Sequence, residues 1–485
     1  MRGKGKSMRR KTLRFEMLGT ACAAMMALHS GAATAQLVTT FAGKADTPGA
    51  ADAGQGLFRQ PAGSALDGAG NLYVSDYGNH TIRRITPAGV VTTIAGSAGI
   101  AGSTDAIGTK ARFYYPEGLA VDSQGNVYVA DDGNHTIRRL EASTWNVTTI
   151  AGSAGSAGNQ DGYGAAARFH SPASLGFDSS GFLYVTDYYN HSIRMLSFDT
   201  SHQQWYVATI AGSGSPGSAD ANGTSAQFRY PFGLAIDRSS NLYVADYGNN
   251  TIRMVTSGAR TVTTLAGTAG TSGSVDGFRA SARFYGPGGV AVDNAGNVFV
   301  TDSLNQTIRR ITPDGRVTTI VGSAGNAGEV DGAGTVIPRF HDPLLATLDD
   351  RGNLYVPDYS GHTIRKVALR VLPLVAKDQT QTSYRFMATL SYSGYSSDVQ
   401  GFGTPHLLAD NVGYFGTADP DSADVVVKMI DFCRANNWSV YIGGTTDINT
   451  SVTITDTLTG RVSVPFVNTL GHDFQLIKNA VFTCP

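Results

Sequence analysis

The sequence has few cysteines, little charge and no apolar run long enough to cross a bilayer. Only three of its 485 residues are cysteines, and 15% are charged. The longest apolar stretch, from about residue 17 to residue 28, falls short of the ~20 residues that a spanning helix needs, so we expect no membrane span. No long basic tract follows the first 14 residues. Nucleic acid is therefore not an expected partner, because phosphate binding relies on clustered Lys and Arg.

The first 35 residues have the pattern of a secretory signal peptide. Seven basic residues lie within residues 1–14, an apolar stretch follows, and Ala-Thr-Ala at residues 33–35 forms a cleavage site before Gln36. An N-terminal membrane anchor is the alternative. After cleavage, 30 basic and 37 acidic residues remain, a net charge of −7. The sequence predicts a secreted or periplasmic protein.

One repeat dominates the chain. Gly-Asn-Leu-Tyr-Val-Ser-Asp-Tyr-Gly-Asn-His-Thr-Ile-Arg at residues 70–83 recurs five more times with small changes. So regular a repeat indicates six equivalent structural units. The aspartates that mark the units are 55 to 59 residues apart: Asp76, Asp131, Asp187, Asp246, Asp302 and Asp358.

Each unit is predicted to contain four short strands, which in the second unit cover residues 118–122, 126–131, 136–140 and 147–152. Four antiparallel strands per repeat are typical of a β-propeller blade. The sixth unit lacks its fourth strand, and Val-Thr-Thr-Phe-Ala-Gly at residues 38–43 has the missing pattern. We therefore predict an all-β, six-bladed propeller over residues 36–372, closed by this N-terminal strand.

The turn between the second and third strands identifies the repeat. It contains Asn79-His80-Thr81 in the first unit, with Thr or Ser in place of leucine in every unit. Residues 37–370 resemble NHL repeats, which are named for Asn-His-Leu. The resemblance implies a six-bladed propeller. Because NHL propellers include protein-binding sensors, RNA-binding modules and a few lyases, it does not single out one function.

Residues that recur in every unit are expected to be architectural. The Asp76/Arg83 pair is predicted to be an ion pair or turn clamp within each blade. The turn histidines His80, His135, His191 and His362 are too widely spaced for one metal ion and are interpreted as turn residues. Each loop before a blade supplies one carboxylate, too few for calcium unless backbone carbonyls complete the shell, so we expect no cofactor. These carboxylates belong to Asp105, Asp161, Asp220, Asp276 and Asp331.

One position differs between units in an ordered way. The residue after the Phe that precedes each innermost strand is, in order, Arg, Tyr, His, Arg, Tyr and His. If these side chains surround the mouth of the central channel, they form a cationic and aromatic rim for an anionic or sugar-like ligand. This rim is the predicted ligand-binding site: Arg59, Tyr114, His170, Arg229, Tyr285 and His341.

The repeat ends near residue 372, and the composition changes. Residues 373–383 are predicted to be a linker, and residues 384–485 a β-rich, sandwich-like domain with one short amphipathic helix over residues 424–436. This part resembles a C-terminal module of secreted bacterial proteins, recognisable in Asp-Thr-Leu-Thr-Gly at residues 456–460. After signal cleavage only Cys433 and Cys484 remain, and we predict a disulfide between them.

The innermost strands are predicted to be nearly identical, with no constellation of acid, base or nucleophile, so no catalytic or metal-binding residue is predicted. The expected function is an exported, monomeric, non-catalytic propeller that recognises a protein, peptide or glycan through one face of the ring. The alternative is a metal-dependent lyase or a gluconolactonase-like lactonase that acts at the channel mouth.

Overall fold

The computed structural model describes residues 37–332 and 337–369, together with eight strands between residues 386 and 468. Six antiparallel sheets, numbered here as blades 1 to 6, account for the first part. Each blade begins with the strand nearest the central channel, called its inner strand. Short 3₁₀ helices occur at Tyr77–Asn79, Gly108–Lys110, Asp132–Asn134, Gly164–Ala166, Gly223–Ser225, Tyr247–Asn249, Arg279–Ser281 and Ser303–Asn305.

Blades 1 to 3 have the four predicted strands, formed by alternating β-branched and aromatic residues. In blade 3 a fifth short strand, Gly162–Tyr163, pairs with the outermost strand. The strands of blade 1 are Pro61–Leu66, Leu72–Asp76, Thr81–Ile85 and Val91–Gly96; those of blade 2 are Pro116–Val121, Val127–Asp131, Thr136–Leu140 and Val147–Gly152; those of blade 3 are Pro172–Phe177, Leu183–Asp187, Ser192–Asp199 and Gln204–Ala211.

Blades 4 and 5 also carry a short fifth strand at the outer edge, Ala221–Asn222 and Gly277–Phe278 respectively. Blade 4 consists of Pro231–Ile236, Leu242–Asp246, Thr251–Val255 and Thr261–Gly267; blade 5 of Pro287–Val292, Val298–Asp302, Thr307–Ile311 and Arg316–Gly322; blade 6 of Thr347–Leu348, Asn353–Asp358, Thr363–Ala368 and Leu37–Gly43.

Blade 6 closes the ring in the way the sequence predicts. Leu37–Gly43 pairs antiparallel with Thr363–Ala368 and so supplies the fourth strand of the last blade. A hydrophobic cluster joins Ala42 and Ile364 of blade 6 to Phe58 and Leu72 of blade 1. The first and last blades are therefore joined through both pairing and packing.

The core lies between consecutive blades. In the contact of blade 1 with blade 2, Tyr73 and Ile82 pack against Phe113 and Leu119. The Phe before each inner strand is fully buried, and each fills the same place in its blade: Phe58, Phe113, Phe169, Phe228, Phe284 and Phe340. Because each cluster needs two blades, a single blade cannot bury its own apolar face.

Glycines in the inner strands let neighbouring backbones approach closely. A Cβ at Gly118 would meet the carbonyl of Ala173 in the next blade, and one at Gly233 would meet the carbonyl of Gly288. These glycines account for the Gly-rich start of the inner strands, because only a residue without a side chain fits there. The inner strands of all six blades line a channel of about 290 Å³ with mainly apolar side chains, among them Leu119, Leu175 and Leu234.

The described strands of the C-terminal part form two four-stranded antiparallel sheets. The predicted helix over residues 424–436 is wrong: Val425–Phe432 is a strand that pairs with Val412–Gly416 and Asn437–Gly443. Three consecutive valines favour strand, and pairing on both sides outweighs the helical spacing. The first sheet contains Gln400–Phe402, Phe386–Ser393, Asn449–Asp456 and Phe466–Asn468; the second contains Thr404–Ala409, Val412–Gly416, Val425–Phe432 and Asn437–Gly443.

Several sequence predictions fall outside the described residues: the signal peptide, the linker and the disulfide between Cys433 and Cys484. They stay predictions. No helix in the described residues is long and apolar enough to span a membrane.

Candidate functional site

The recurring Asp and Arg form a buried clamp in each blade, as the sequence predicts. In blade 1, Arg83 is fully buried and lies 2.6 Å from Asp76 and 2.7 Å from Asp52 of the preceding loop. It also donates hydrogen bonds to the carbonyls of Leu57 and Ala51, both at 2.9 Å. The guanidinium thus ties the strands to the loop before the blade. The equivalent pairs are Arg138 with Asp131 and Asp105, Arg194 with Asp187 and Asp161, Arg253 with Asp246 and Asp220, Arg309 with Asp302 and Asp276, and Arg365 with Asp358 and Asp331.

The clamp also fixes the backbone at the channel mouth. Asp76 accepts hydrogen bonds from the backbone N–H of Arg59 at 2.7 Å and from the Asn79 amide at 2.8 Å. Burial raises the pKa of Asp76 to about 6, and the positive charge of Arg83 opposes that rise. The loop aspartates that the sequence offers as calcium candidates have their carboxylates on the clamp arginine and on a threonine, as Asp105 does with Arg138 and Thr149.

The turn histidines join one blade to the next. His80 adopts the left-handed conformation, with φ of 60°, after the 3₁₀ turn. Its Nδ1 accepts a hydrogen bond from the backbone N–H of Tyr115 in blade 2, at 3.2 Å. Equivalent hydrogen bonds run from Ser171 to His135, from Tyr230 to His191, from Gln60 to His362 and from Gly286 to the amide oxygen of Asn250.

The six predicted rim residues lie at this same end of the ring, one in each blade. The backbone N–H of each is bound by the clamp aspartate of its own blade, as that of Tyr114 is by Asp131 at 2.8 Å. Tyr114 and Tyr285 are 39% and 46% exposed. The Tyr114 ring contacts the His80 ring at 5.8 Å, so the rim side chains alternate with the turn residues around the face.

The structure does not bring the rim residues together at one point. Within the described part of the chain, no aromatic, hydrogen-bonded or ionic contact joins two of the six. His170, for example, contacts His135 of the preceding blade and Tyr189 of its own turn. The six encircle the face instead of converging, and ligand binding by them stays a prediction.

A set of tyrosines lies closer to the channel. The residue that follows each clamp aspartate is Tyr in four blades, and its ring is half-buried. Tyr77 stacks on Tyr115 at 4.7 Å and meets Tyr359 edge-on at 5.8 Å. On the other side of blade 2, Tyr188 of blade 3 contacts Tyr230 at 5.0 Å. Around the mouth, the residues at this position are Tyr77, Asp132, Tyr188, Tyr247, Ser303 and Tyr359.

Sequence reasoning missed the residue that most clearly breaks the repeat here. The second residue of the inner strand marks the channel mouth in blades 1 to 5, and Leu344, just before the inner strand, has the same position in blade 6. In blade 2 this residue is Glu117, only 9% exposed. The inner strands look alike from their third residue onward, and the difference that reveals Glu117 lies one residue earlier. The six residues at this position are Ala62, Glu117, Ala173, Phe232, Gly288 and Leu344.

Glu117 has no compensating charge among the residues that the structure describes. No ion pair among the described residues involves Glu117 or the neighbouring Asp132, and Asp132 Oδ1 is buried with no partner there. Burial, and then the charge of Asp132, raises the pKa of Glu117 well above its usual value. Burial likewise raises the pKa of Asp132 to about 6, although a hydrogen bond from the Ser171 hydroxyl opposes that rise.

The charge of Glu117 also affects the pKa of the tyrosines around it. Burial raises the pKa of Tyr77, Tyr188 and Tyr359, and the charge of Glu117 raises each further. These three tyrosines belong to blades 1, 3 and 6, so Glu117 faces into the mouth between them. We call Glu117, Asp132, Tyr77, Tyr188, Tyr247 and Tyr359 the mouth site.

Comparison with known proteins agrees with the repeat and the fold. The NHL repeat model matches residues 58–85, 113–140, 169–195 and 284–311. NHL repeat-containing protein 2 of Bos taurus is 28% identical over 326 residues, which is 61% of this chain and 45% of that protein. The chain thus spans about half the length of that relative.

Two solved structures from Bacteroides thetaiotaomicron have a similar fold. One is a protein of unknown function, 23% identical, with a TM-score of 0.52 over 69% of this chain and 76% of that one. The other is an auxiliary nutrient binding protein, 18% identical, with a TM-score of 0.52 over 68% and 76% of the two chains. The chain carries NHL repeats, and it folds as a six-bladed β-propeller.

Proposed function

We propose that this protein is an exported, non-catalytic binding propeller that holds its ligand at the mouth site. The observation that carries the proposal is the divergence of the blades there. The clamp is repeated six times, whereas the positions around the mouth hold tyrosine in four blades and carboxylates in one. A scaffold needs equivalent residues in equivalent blades, so residues that differ only at one face support a role in recognition.

The polar residues that recur from blade to blade are occupied by the fold. Each clamp arginine is fully buried and bound to at least two carboxylates, and each turn histidine binds the backbone of the next blade. The fold does not require the mouth tyrosines in the same way. Asp132 in blade 2 and Ser303 in blade 5 replace tyrosine, and the turn is kept in both blades. Half-buried tyrosines provide large contact areas at low cost in side-chain entropy, which suits a peptide or glycan.

The rim residues extend the proposed binding surface outward from the mouth site. Arg59 and Arg229 lie on opposite blades, outside the tyrosines, and both side chains are exposed. They are placed to contact the outer parts of a ligand centred on the mouth. A nutrient-binding role, as in the name of one Bacteroides propeller, is one form that such binding takes.

Binding of the purified protein to glycan and peptide arrays tests the proposal. We expect Tyr77→Ala and Tyr188→Ala to abolish binding of the ligand so found, and Arg59→Ala with Arg229→Ala to weaken it. Tyr206→Ala is the matched control, since Tyr206 is exposed on the outermost strand of blade 3. Equal loss in the control, or no loss in the mouth variants, would contradict the proposal.

The enzymatic alternative is tested with the same protein. A stoichiometric metal ion, together with turnover in a panel of lactones and glycan-lyase substrates, would replace binding by a metal-dependent lyase or lactonase activity. Retained array binding without turnover favours the binding propeller.

A further inference from the structure

Blade 2 places two carboxylates at the channel mouth, and no described residue supplies a counter-charge. Glu117 is 91% buried by the fold, and no side chain of the described residues donates a hydrogen bond to its carboxylate. Asp132 follows the clamp aspartate of the same blade, and its Oδ1 is buried and unpaired within those residues. Buried carboxylates normally have a cationic or hydrogen-bonding partner, because desolvation of an unpaired charge costs several kcal/mol.

The fold does not require these two charges. At the position of Glu117 the other five blades have Ala, Ala, Phe, Gly and Leu, and at the position of Asp132 they have Tyr or Ser. Blade 2 keeps the same clamp, turn and strand pairing as the others. These two acids, which have no cationic partner among the described residues, are therefore a local feature of the mouth and are not part of the blade architecture.

Aromatic rings flank the carboxylates on both sides. Tyr77, stacked on Tyr115 and in edge contact with Tyr359, forms one wall. Tyr188 and Phe232, whose rings are 5.8 Å apart, form the other. Opposite blade 2, blade 5 contributes the small Ser303 in place of a tyrosine. The mouth thus has an acidic end between two aromatic walls.

We propose that the mouth site binds an organic ammonium group, with Glu117 and Asp132 as its counter-ions and the rings of Tyr77 and Tyr188 as its walls. This inference rests on the proposed function, since it names the chemical class of ligand for the same site. Ring faces attract cations through their quadrupole, and the attraction is stronger in a desolvated site. Two carboxylates repel an anionic ligand and satisfy one or two positive charges.

An organic cation fits this site better than a metal ion. The described residues contain no group of three or more His, Cys, Asp or Glu side chains placed to hold a metal ion. Two carboxylates fall well short of the six to eight oxygens that calcium takes. Aromatic walls supply no oxygen ligands to a hard cation but pack well against methyl or methylene groups attached to nitrogen.

Calorimetric titration of the full secreted chain tests the proposal. The probes are choline, putrescine and Nα-acetyl-lysine amide, with 3,3-dimethyl-1-butanol as the neutral analogue of choline and calcium chloride as the metal. We expect at least one ammonium probe to bind, and choline to bind about tenfold or more tightly than its neutral analogue. Binding of calcium alone, or equal binding of choline and the neutral analogue, would overturn the proposal.

Matched variants localise the binding. Glu117→Gln keeps the shape and removes the charge, and we expect it to weaken ammonium binding by about tenfold or more. Asp132→Asn should weaken it less, and Tyr77→Leu should weaken choline more than putrescine, which lacks methyl groups. Glu141→Gln is the control, because Glu141 lies in a loop between the outer strands of blade 2. A thermal melt of each variant verifies folding.

The outcome separates the two proposals. If an array ligand binds and is lost in Tyr77→Ala and Tyr188→Ala but unaffected by Glu117→Gln, the mouth binds a ligand that is not an ammonium compound, and only the present inference fails. If ammonium probes bind equally well to Glu117→Gln and to the unmodified chain, the site lies elsewhere, and the inference fails as well. If no ligand depends on any mouth residue, the proposed function fails too.

Discussion

Blade 6 contains a compensated change in the clamp, and reversing it should stabilise the protein. In five blades the clamp aspartate accepts a hydrogen bond from an asparagine; in blade 2, Asn134 donates to Asp131 at 2.8 Å and to the carbonyl of Gly102 at 2.7 Å. Blade 6 has Gly361 at this position, and Glu329 fills the vacant space, so that an added Cβ would collide with its carboxylate. We predict that Glu329→Ser with Gly361→Asn restores the common arrangement.

The present arrangement is strained electrostatically. Arg365 Nη1 lies 3.2 Å from both Glu329 and Asp358, against 2.6 Å for the clamp pairs of blades 1 to 3. Glu329 Oε1 is buried without a partner in the described residues. Burial and the charge of Glu329 hold the pKa of Asp358 well above its usual range, because two buried carboxylates share one guanidinium.

The magnitudes follow from these contacts. Gly361→Asn alone forces a side chain into occupied space and should cost about 2 kcal/mol of unfolding free energy. Glu329→Ser alone removes the excess charge but leaves a small cavity, and Thr363 loses the hydrogen bond of 3.0 Å to Glu329, so we expect a net change within about 1 kcal/mol. The double variant gains two hydrogen bonds of about 1 kcal/mol each and loses a flexible glycine. It should be about 1 to 2 kcal/mol more stable than the unmodified chain.

Urea unfolding of the four proteins, followed by circular dichroism, gives the double-mutant cycle. The expected coupling between the two positions is about 2 kcal/mol or more, far above the error for independent sites. The exchange of Ser for Glu is conservative here, because blades 2, 4 and 5 have Ser103, Ser218 and Ser274 at the position of Glu329. Additive effects, or a double variant less stable than either single one, would refute the compensation.

Three further predictions concern other parts of the ring. Glu117→Gln should raise the unfolding free energy at pH 7 by about 1 to 2 kcal/mol, because it removes a buried unpaired charge. Since the folded-state pKa of Glu117 is raised, this advantage should shrink as the pH falls through that pKa, and a pH-independent difference in urea unfolding would contradict the assignment. Burial lowers the pKa of His80, so its contribution to stability is complete above about pH 6.5 and is lost as the pH falls toward its folded-state pKa. His80→Asn, which copies Asn250 of blade 4, should keep the hydrogen bond to the next blade and lessen acid destabilisation in melts between pH 7 and 5; an unchanged pH profile would be inconsistent with this role. Asp131→Ala should cost about 3 to 5 kcal/mol because it leaves Arg138 buried without its main partner, whereas the same change at the exposed Asp314 should cost little, and equal losses in urea unfolding would argue against the clamp.

Features that repeat are the ones the sequence predicts well. The six blades, the closing strand and the Asp76/Arg83 clamp follow from the period, because every blade must satisfy the same backbone and packing demands. The role of His80 did not follow, since its partner is a backbone N–H in the next blade and leaves no trace in residue identity. The prediction of a C-terminal helix was wrong because the spacing of Val425 and Val426 with later apolar residues fits both the period of a helix and that of a strand. Only pairing with strands distant in sequence decides between the two.

The clamp explains why the mouth is free to differ between blades. Asp131 holds the backbone N–H of Tyr114, and Asp76 holds that of Arg59, so the loop at the mouth is fixed through main-chain atoms whatever the side chain is. Phe113 packs beneath Arg138 at 5.1 Å and anchors the preceding residue in the same way. Substitutions at residues such as Glu117 therefore change the chemistry of the face without changing its geometry. Separation of this kind lets a sixfold scaffold carry an asymmetric site, and it locates function in the positions where the blades disagree.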